Sequence, residues 1–260
     1  MSYETIIYRR HDAVAEIRFN RPHRLNAVIE QFYREMLAAF EVAENDDQVR
    51  VIVLTGEGRA FCVGADLKEH GKGERTARQQ RDYLVLGNKC CRCIQCCPLP
   101  VVAAINGFAA GAGAEMAISS DFILMKESAL LWLPEVSIGT FIGGGVSGIL
   151  PRIVGLGRAR ELIMTGRRID GREAAAIGLA LKAFSDDAFE AGVDEFVHSL
   201  ASKAPVSMRF AKEHLNDPGR TMETRLLTEL EALRACMVTE DWQEGVNAFA
   251  ERRQPIFKGR

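Results

Sequence analysis

Three short, unbroken apolar runs constrain this chain most: Val51-Ile52-Val53-Leu54-Thr55, Val101-Val102-Ala103-Ala104-Ile105 and Phe122-Ile123-Leu124-Met125. A strand that is apolar at every position is buried on both faces, the pattern of parallel strands joined by crossovers. Helical stretches separate the runs: a long one ending near Cys97, and a short one running through Glu115 to Ser119. Upstream, Ala15, Ile17 and Phe19 alternate with Glu16 and Arg18, which reads as a half-buried strand. Asn20-Arg21-Pro22-His23-Arg24 breaks it, and a helix is expected from about Asn26, its N-cap, with an apolar stripe of Ile29, Phe32, Met36, Leu37 and Phe40. Further helices are expected from Arg158 to Thr165, closed by Gly166, and after Asp170-Gly171-Arg172-Glu173, where Asp170 caps and Gly178 terminates. Strands separated by helices imply an α/β architecture.

From about Phe189 only helices follow, with stripes Phe189, Val193, Phe196, Val197, Leu200 and then Leu226, Leu227, Leu230, Leu233, Met237. The expected organisation is an α/β body over residues 1–195 and a helical region over 196–260, packed on the body or on a neighbouring subunit. A formal net charge of −2 gives no basic field for nucleic acid or anionic membrane. The stretch from Glu30 to Asp47 sets Glu30, Glu35, Glu41, Glu44, Asp46 and Asp47 against Arg34 alone, the reverse of a nucleic-acid footprint. No run approaches the roughly 20 apolar residues of a membrane helix. The N-terminus lacks a charged segment followed by an apolar one, so a cytoplasmic location is the expectation.

Five of seven cysteines fall at Cys90, Cys91, Cys93, Cys96 and Cys97. Their local spacing suits a metal, but no second pair of Cys or His at ligand spacing completes a site. The reading preferred is a helix whose inward stripe is Cys90, Cys93, Ile94 and Cys97, with thiols as small hydrophobes. Metal or redox use is the alternative.

Three segments carry chemistry. Glu115 ends Asn106-Gly107-Phe108-Ala109-Ala110-Gly111-Ala112-Gly113-Ala114-Glu115, and Glu135 lies in Leu133-Pro134-Glu135, ahead of Gly143-Gly144-Gly145. Ala60-Phe61-Cys62-Val63-Gly64-Ala65-Asp66-Leu67-Lys68 offers another tight turn of small residues. Two carboxylates beside exposed backbone amides can move protons while a developing oxyanion is held. The glycine run lacks both the P-loop Lys-Ser/Thr and dinucleotide-type spacing. Each segment alone is ordinary: a glutamate in a first helical turn, a surface Pro-Glu turn, a solvated lysine.

Together, and in this order, they resemble the crotonase, or enoyl-CoA hydratase/isomerase, superfamily. The likeness runs from Asn20-Arg21-Pro22 with Leu25-Asn26-Ala27, through Ala104-Ile105-Asn106-Gly107, Thr165-Gly166 and Ala175-Ala176-Ile177-Gly178-Leu179, to Phe257-Lys258-Gly259. The resemblance implies a spiral of ββα units with a helical C-terminal region, assembled as a homotrimer or a dimer of trimers. It also implies a coenzyme A thioester substrate, with no separate cofactor or metal and no nucleic-acid or membrane partner. By family position Ala65 and Ala112 supply the two oxyanion-hole amides, Glu115 and Glu135 are the acid–base pair of the hydratases, and the Gly143 backbone helps hold the attacking water. The CoA moiety falls to Arg24, Ala27, Ala65, Asp66, Leu67, Lys68, Ala112 and, across a subunit boundary, Lys258. The implied reaction is reversible hydration of a 2-enoyl-CoA. Double-bond isomerisation, thioester or C–C hydrolysis, and last a non-catalytic RNA-binding relative are the alternatives. Phe141-Ile142, Val146-Ser147-Gly148-Ile149-Leu150 and Trp132-Leu133 depart from the usual hydratase pattern. Residues 69–87, including Lys72-Gly73-Glu74-Arg75, are expected to border the acyl group.

Overall fold

The computed structural model of the protein describes residues 3–70, 76–217 and 219–260. Among the described residues the larger sheet has six strands: β1 (Ile6–His11), β2 (Val14–Phe19), β3 (Val51–Gly56), β5 (Val101–Ile105), β7 (Phe122–Lys126) and β10 (Lys182–Phe184), in that spatial order. β1 and β2 form an antiparallel hairpin, and the remaining neighbours pair in parallel. A smaller sheet sets β4 (Ala60–Cys62), β6 (Phe108–Ala110), β8 (Leu130–Trp132) and β9 (Ile169–Asp170) side by side.

Chain order makes the repeat plain. β3 is followed by β4 and the helices α2 (Leu67–His70) and α3 (Ala77–Cys96); β5 by β6 and α4 (Ala112–Ile118); β7 by β8 and α5 (Val146–Thr165). α1 (Glu30–Glu44) precedes this repeat and α6 (Gly171–Ala176) follows it. Each ββα turn thus places one strand in each sheet, and the ends of the short strands, where the backbone leaves the smaller sheet, converge on one region.

The apolar runs are buried on both faces, as their composition requires. Ile52, Leu54, Val101, Ala103, Ile105, Ile123 and Met125 join the main core under α1, α3 and α4. Val51, Val53, Val102, Ala104 and Leu124 face the other way, onto α7 (Phe189–Ala201) through Phe189, Val193 and Val197. Edge-to-face contacts of Phe19 with Phe32 (5.0 Å between ring centroids) and Phe61 (4.9 Å) tie β2, α1 and β4 together. Among the described residues no helix is long and apolar enough to cross a membrane.

Two expectations are corrected. α1 starts at Glu30, capped by Ile29, and Asn26 is no N-cap: it sits in the left-handed region (φ 58°), buried, its side chain spent on the loop. α5 begins at Val146 rather than Arg158, interrupted at Gly155, whose φ of 78° and ψ of 154° break the helical path. The apolar stripe of α9 (Met222–Met237) is not buried among the described residues: Leu226, Leu227, Leu230, Leu233 and Met237 are all exposed. α8 (Pro205–Leu215) is anchored instead by its buried Lys212, which pairs with Asp121 at 2.7 Å, and α10 (Glu240–Glu251) closes the helical region.

Candidate active site

The site is built where β4 and β6 end. Gly113, in the first turn of α4, lies so close to β4 that a Cβ there would stand 2.0 Å from the Cys62 carbonyl oxygen. Only glycine permits that approach, and it presses the start of α4 against the turn that follows β4. In that turn Gly64 has φ of +87°, and a Cβ on it would lie 3.0 Å from the Ala110 oxygen and 3.3 Å from the Ala112 nitrogen. Ala65 pairs with Val28 in an isolated parallel bridge: Val28 N–H donates to the Gly64 carbonyl (2.8 Å) and Asp66 N–H to the Val28 carbonyl (3.0 Å). These bonds leave the Ala65 N–H outside the ladder. Ala112 is the first residue of α4, where an amide has no intrahelical acceptor. Among the described residues neither N–H meets a protein acceptor, so two free donors lie on adjoining turns.

Arg21 and Asn26 lock the Ala65 turn from below. The Arg21 guanidinium donates to the Ala27 carbonyl and, at 3.1 Å, to the Asp66 carboxylate, which is only 4% exposed. Burial alone would raise the Asp66 carboxyl, yet the Arg21 bond and the Glu69 N–H hold it below its ordinary range. Asn26 accepts from Arg21 N–H (2.8 Å) and donates to the carbonyls of Glu57 (3.0 Å) and Ala60 (2.7 Å). Asp66 therefore offers a ligand its backbone alone. Sequence reasoning quoted Arg21 as part of a motif but gave it no task.

Glu115 projects from α4 and accepts the Gly143 N–H at 2.6 Å. The Gly143 amide, expected to face water, is in this structure spent on the carboxylate itself. Burial raises the Glu115 pKa, and the Gly143 bond partly offsets the rise. Glu135 opens a single 3-10 turn after β8 and is 6% exposed. Its Oε1 lies 3.2 Å from where a Gly111 Cβ would be, one residue from the Ala112 donor, and its Oε2 is buried without a hydrogen-bond partner. Burial, reinforced by the nearby charge of Glu115, pushes its pKa up to about 7. The structure thus brings both glutamates and both free amides to one place. Two carboxyls here can divide a single proton between them near neutrality.

Among the remaining candidates, Arg24 lies near enough to Asp66 to lower its pKa, Ala27 is buried in the same loop, and Leu67 and Lys68 are exposed at the start of α2. Lys258 is not brought to the site of its own chain. Its tail is tied by a hydrogen bond from Arg50 to the Phe257 carbonyl, at the start of β3, whereas the site lies beyond that strand's other end. Lys72-Gly73-Glu74-Arg75 lies outside the described residues. Trp132 packs against Phe108 (6.3 Å) and under the Arg168 guanidinium (4.7 Å). Cys90, Cys91 and Cys97 are buried with Ile94 in the core and Cys93 is half-buried, so the inward face takes in Cys91 as well. Burial pushes the Cys62 and Cys91 thiols up to about 12, far from reactive thiolates.

The model of the enoyl-CoA hydratase/isomerase family matches residues 9–260. The chain belongs to this family. It is 35% identical to a short-chain-enoyl-CoA hydratase of Clostridium acetobutylicum, over 98% of this chain and 97% of that protein. It is 33% identical to a crotonyl-CoA hydratase of Syntrophomonas wolfei, over 99% of each. Among solved structures it superposes on an enoyl-CoA hydratase from Bacillus anthracis with a TM-score of 0.94 at 34% identity, covering 99% of this chain and 100% of that one.

Proposed function

We propose that the protein is an enoyl-CoA hydratase that adds water reversibly to a 2-enoyl-CoA. The observation that carries this is the meeting of Glu115 and Glu135 beside the free Ala65 and Ala112 amides. The thioester oxygen sits between those amides, which take the charge that moves onto it as water attacks C3; losing one such donor costs about 10²–10³ in rate. Glu115, held by Gly143, is the charged partner that orients and deprotonates the water. Glu135 is the neutral partner that protonates C2, a division its pKa of about 7 supports. The enolate character is confined to the C2–thioester unit. No metal or further cofactor is invoked, and CoA arrives with the substrate.

Arg24 and Lys68 lie beside the Ala65 turn and suit the CoA phosphates; Ala27, Leu67 and the backbone of Asp66 line the rest. The open leucine face of α9 supports assembly as a homotrimer or a dimer of trimers, in which Lys258 serves a neighbour's CoA. Isomerisation and hydrolysis remain the runner-up reactions because Phe141 through Leu150 depart from the hydratase pattern, but neither requires the second glutamate. The test is the loss of conjugated absorbance of crotonyl-CoA. Glu115→Gln and Glu135→Gln are each expected to lower kcat by at least about 10²-fold. Full activity of Glu135→Gln would overturn the assignment.

A further inference from the structure

α3 grips one residue of the loop that holds Glu115. Asn88 Oδ1 accepts the Gly144 N–H at 3.1 Å, and Gln95, seven residues on, donates through Nε2 to the Gly144 carbonyl at 2.9 Å. Two helical turns separate these side chains, so they lie along one face of the helix. Cys91 lies between them on that face, its Sγ 2.8 Å from where a Gly144 Cβ would be. Gly144 itself has φ of +63°. Both polar groups of one glycine are therefore held by a single helix face, with a small residue filling the gap between them. Gln95 also reaches Ser119 Oγ at 3.2 Å, at the end of the helix that carries Glu115.

The residue before Gly144 is Gly143, whose N–H makes the 2.6 Å bond to Glu115. Pinning Gly144 at both ends fixes the peptide plane between the two glycines and limits how far Gly143 can swing. A Cβ placed on Gly143 would stand 3.2 Å from Glu115 Oε2 and 3.5 Å from Asn88 Oδ1, so clamp and carboxylate adjoin one point. We propose that Asn88, Cys91 and Gln95 form a clamp on Gly144 that aims the Gly143 amide at Glu115, making Asn88 and Gln95 positioning residues for the carboxylate that activates water. The clamp also gives Cys91 a task apart from metal binding: a larger side chain there would drive Gly144 out of the cradle.

The inference rests on Glu115 acting in hydration, but its first readout does not. With glycine-specific ¹⁵N labelling of the full chain, the short bond places the wild-type Gly143 amide proton downfield and slows its exchange. Asn88→Ala with Gln95→Ala is expected to shift that resonance upfield and speed exchange about tenfold. Asn88→Asp, which keeps the acceptor, retains the wild-type signature. In crotonyl-CoA hydration the double variant is expected to lose about tenfold in kcat with KM within about threefold. The acidic limb of its pH profile moves up, since Glu115 loses the donor that lowers its pKa. In a Glu115→Gln background the same pair of changes costs little more. An unchanged Gly143 amide, or equal losses in the two backgrounds, overturns the clamp. A wild-type protein inert toward every enoyl-CoA sinks the hydratase reading instead, and the amide signature still decides the clamp.

Discussion

Glu135→Gln is expected to make the protein more stable at alkaline pH while disabling it. Glu135 is buried, with Oε2 unpartnered, and its pKa stands at about 7 against the ordinary 4.5. A carboxyl with a higher pKa in the folded state keeps a proton that the unfolded chain releases. Its effect on stability is therefore most favourable below pH 4.5, erodes as pH rises toward about 7, and is constant above that. At about 1.36 kcal/mol per pH unit, the erosion between those two values amounts to about 3 kcal/mol. Glutamine has no charge to desolvate, but its amide would leave a buried donor unpaired at a cost of about 1 kcal/mol. The net gain at pH 8 is about 2 kcal/mol, or roughly 5 °C in Tm for a domain of this size. Thermal unfolding at fixed protein concentration, from pH 5 to pH 8, is the assay. The reasoning predicts a variant-minus-wild-type difference that grows with pH and levels off above about 7. A difference that is flat across the range, or that favours wild type at pH 8, would refute it.

Other expectations follow from the same geometry. Because hydration has no net proton exchange with solvent, kcat/KM should show one bell-shaped pH profile in both directions, falling above about pH 7 as the glutamate pair loses its shared proton; different profiles for hydration and dehydration would contradict this. Gly64→Ala should cut kcat about tenfold or more, since φ of +87° and 3.0 Å to the Ala110 oxygen force the Ala65 amide to move; steady-state kinetics check it, and wild-type kcat would count against the oxyanion role of Ala65. Leu227→Glu with Leu230→Glu on the open face of α9 should yield monomers by light scattering, whereas an unchanged assembly would remove that face from the interface. Lys258→Ala should raise KM for CoA thioesters several-fold but leave KM for pantetheine thioesters unchanged; equal KM effects on both would exclude contact with the nucleotide end.

What could be read from the chain divides by range. Strands buried on both faces announce themselves through unbroken apolar runs, and β3, β5 and β7 stand where those runs lie. The three-residue strands β4, β6 and β8 leave no period to detect, although they set the site. Asn26 looks like a helix cap locally, yet the carbonyls its amide donates to, Glu57 and Ala60, are more than thirty residues away. Glu115 and Glu135 were legible through order and spacing of motifs. Asn88 was not, because its acceptor role exists only once Gly144, fifty-six residues on, is folded against α3. The α9 stripe was legible as apolar, but a stripe does not name what covers it.

The paired-glutamate account is tested most directly by the product formed from crotonyl-CoA in H₂¹⁸O containing D₂O. It predicts a 3-hydroxyacyl-CoA with ¹⁸O at C3 and deuterium at C2, made by wild type and at least about 10²-fold more slowly by either single glutamine variant. Free thiol, a shifted double bond without ¹⁸O, or labelled product from Glu135→Gln at the wild-type rate would contradict it.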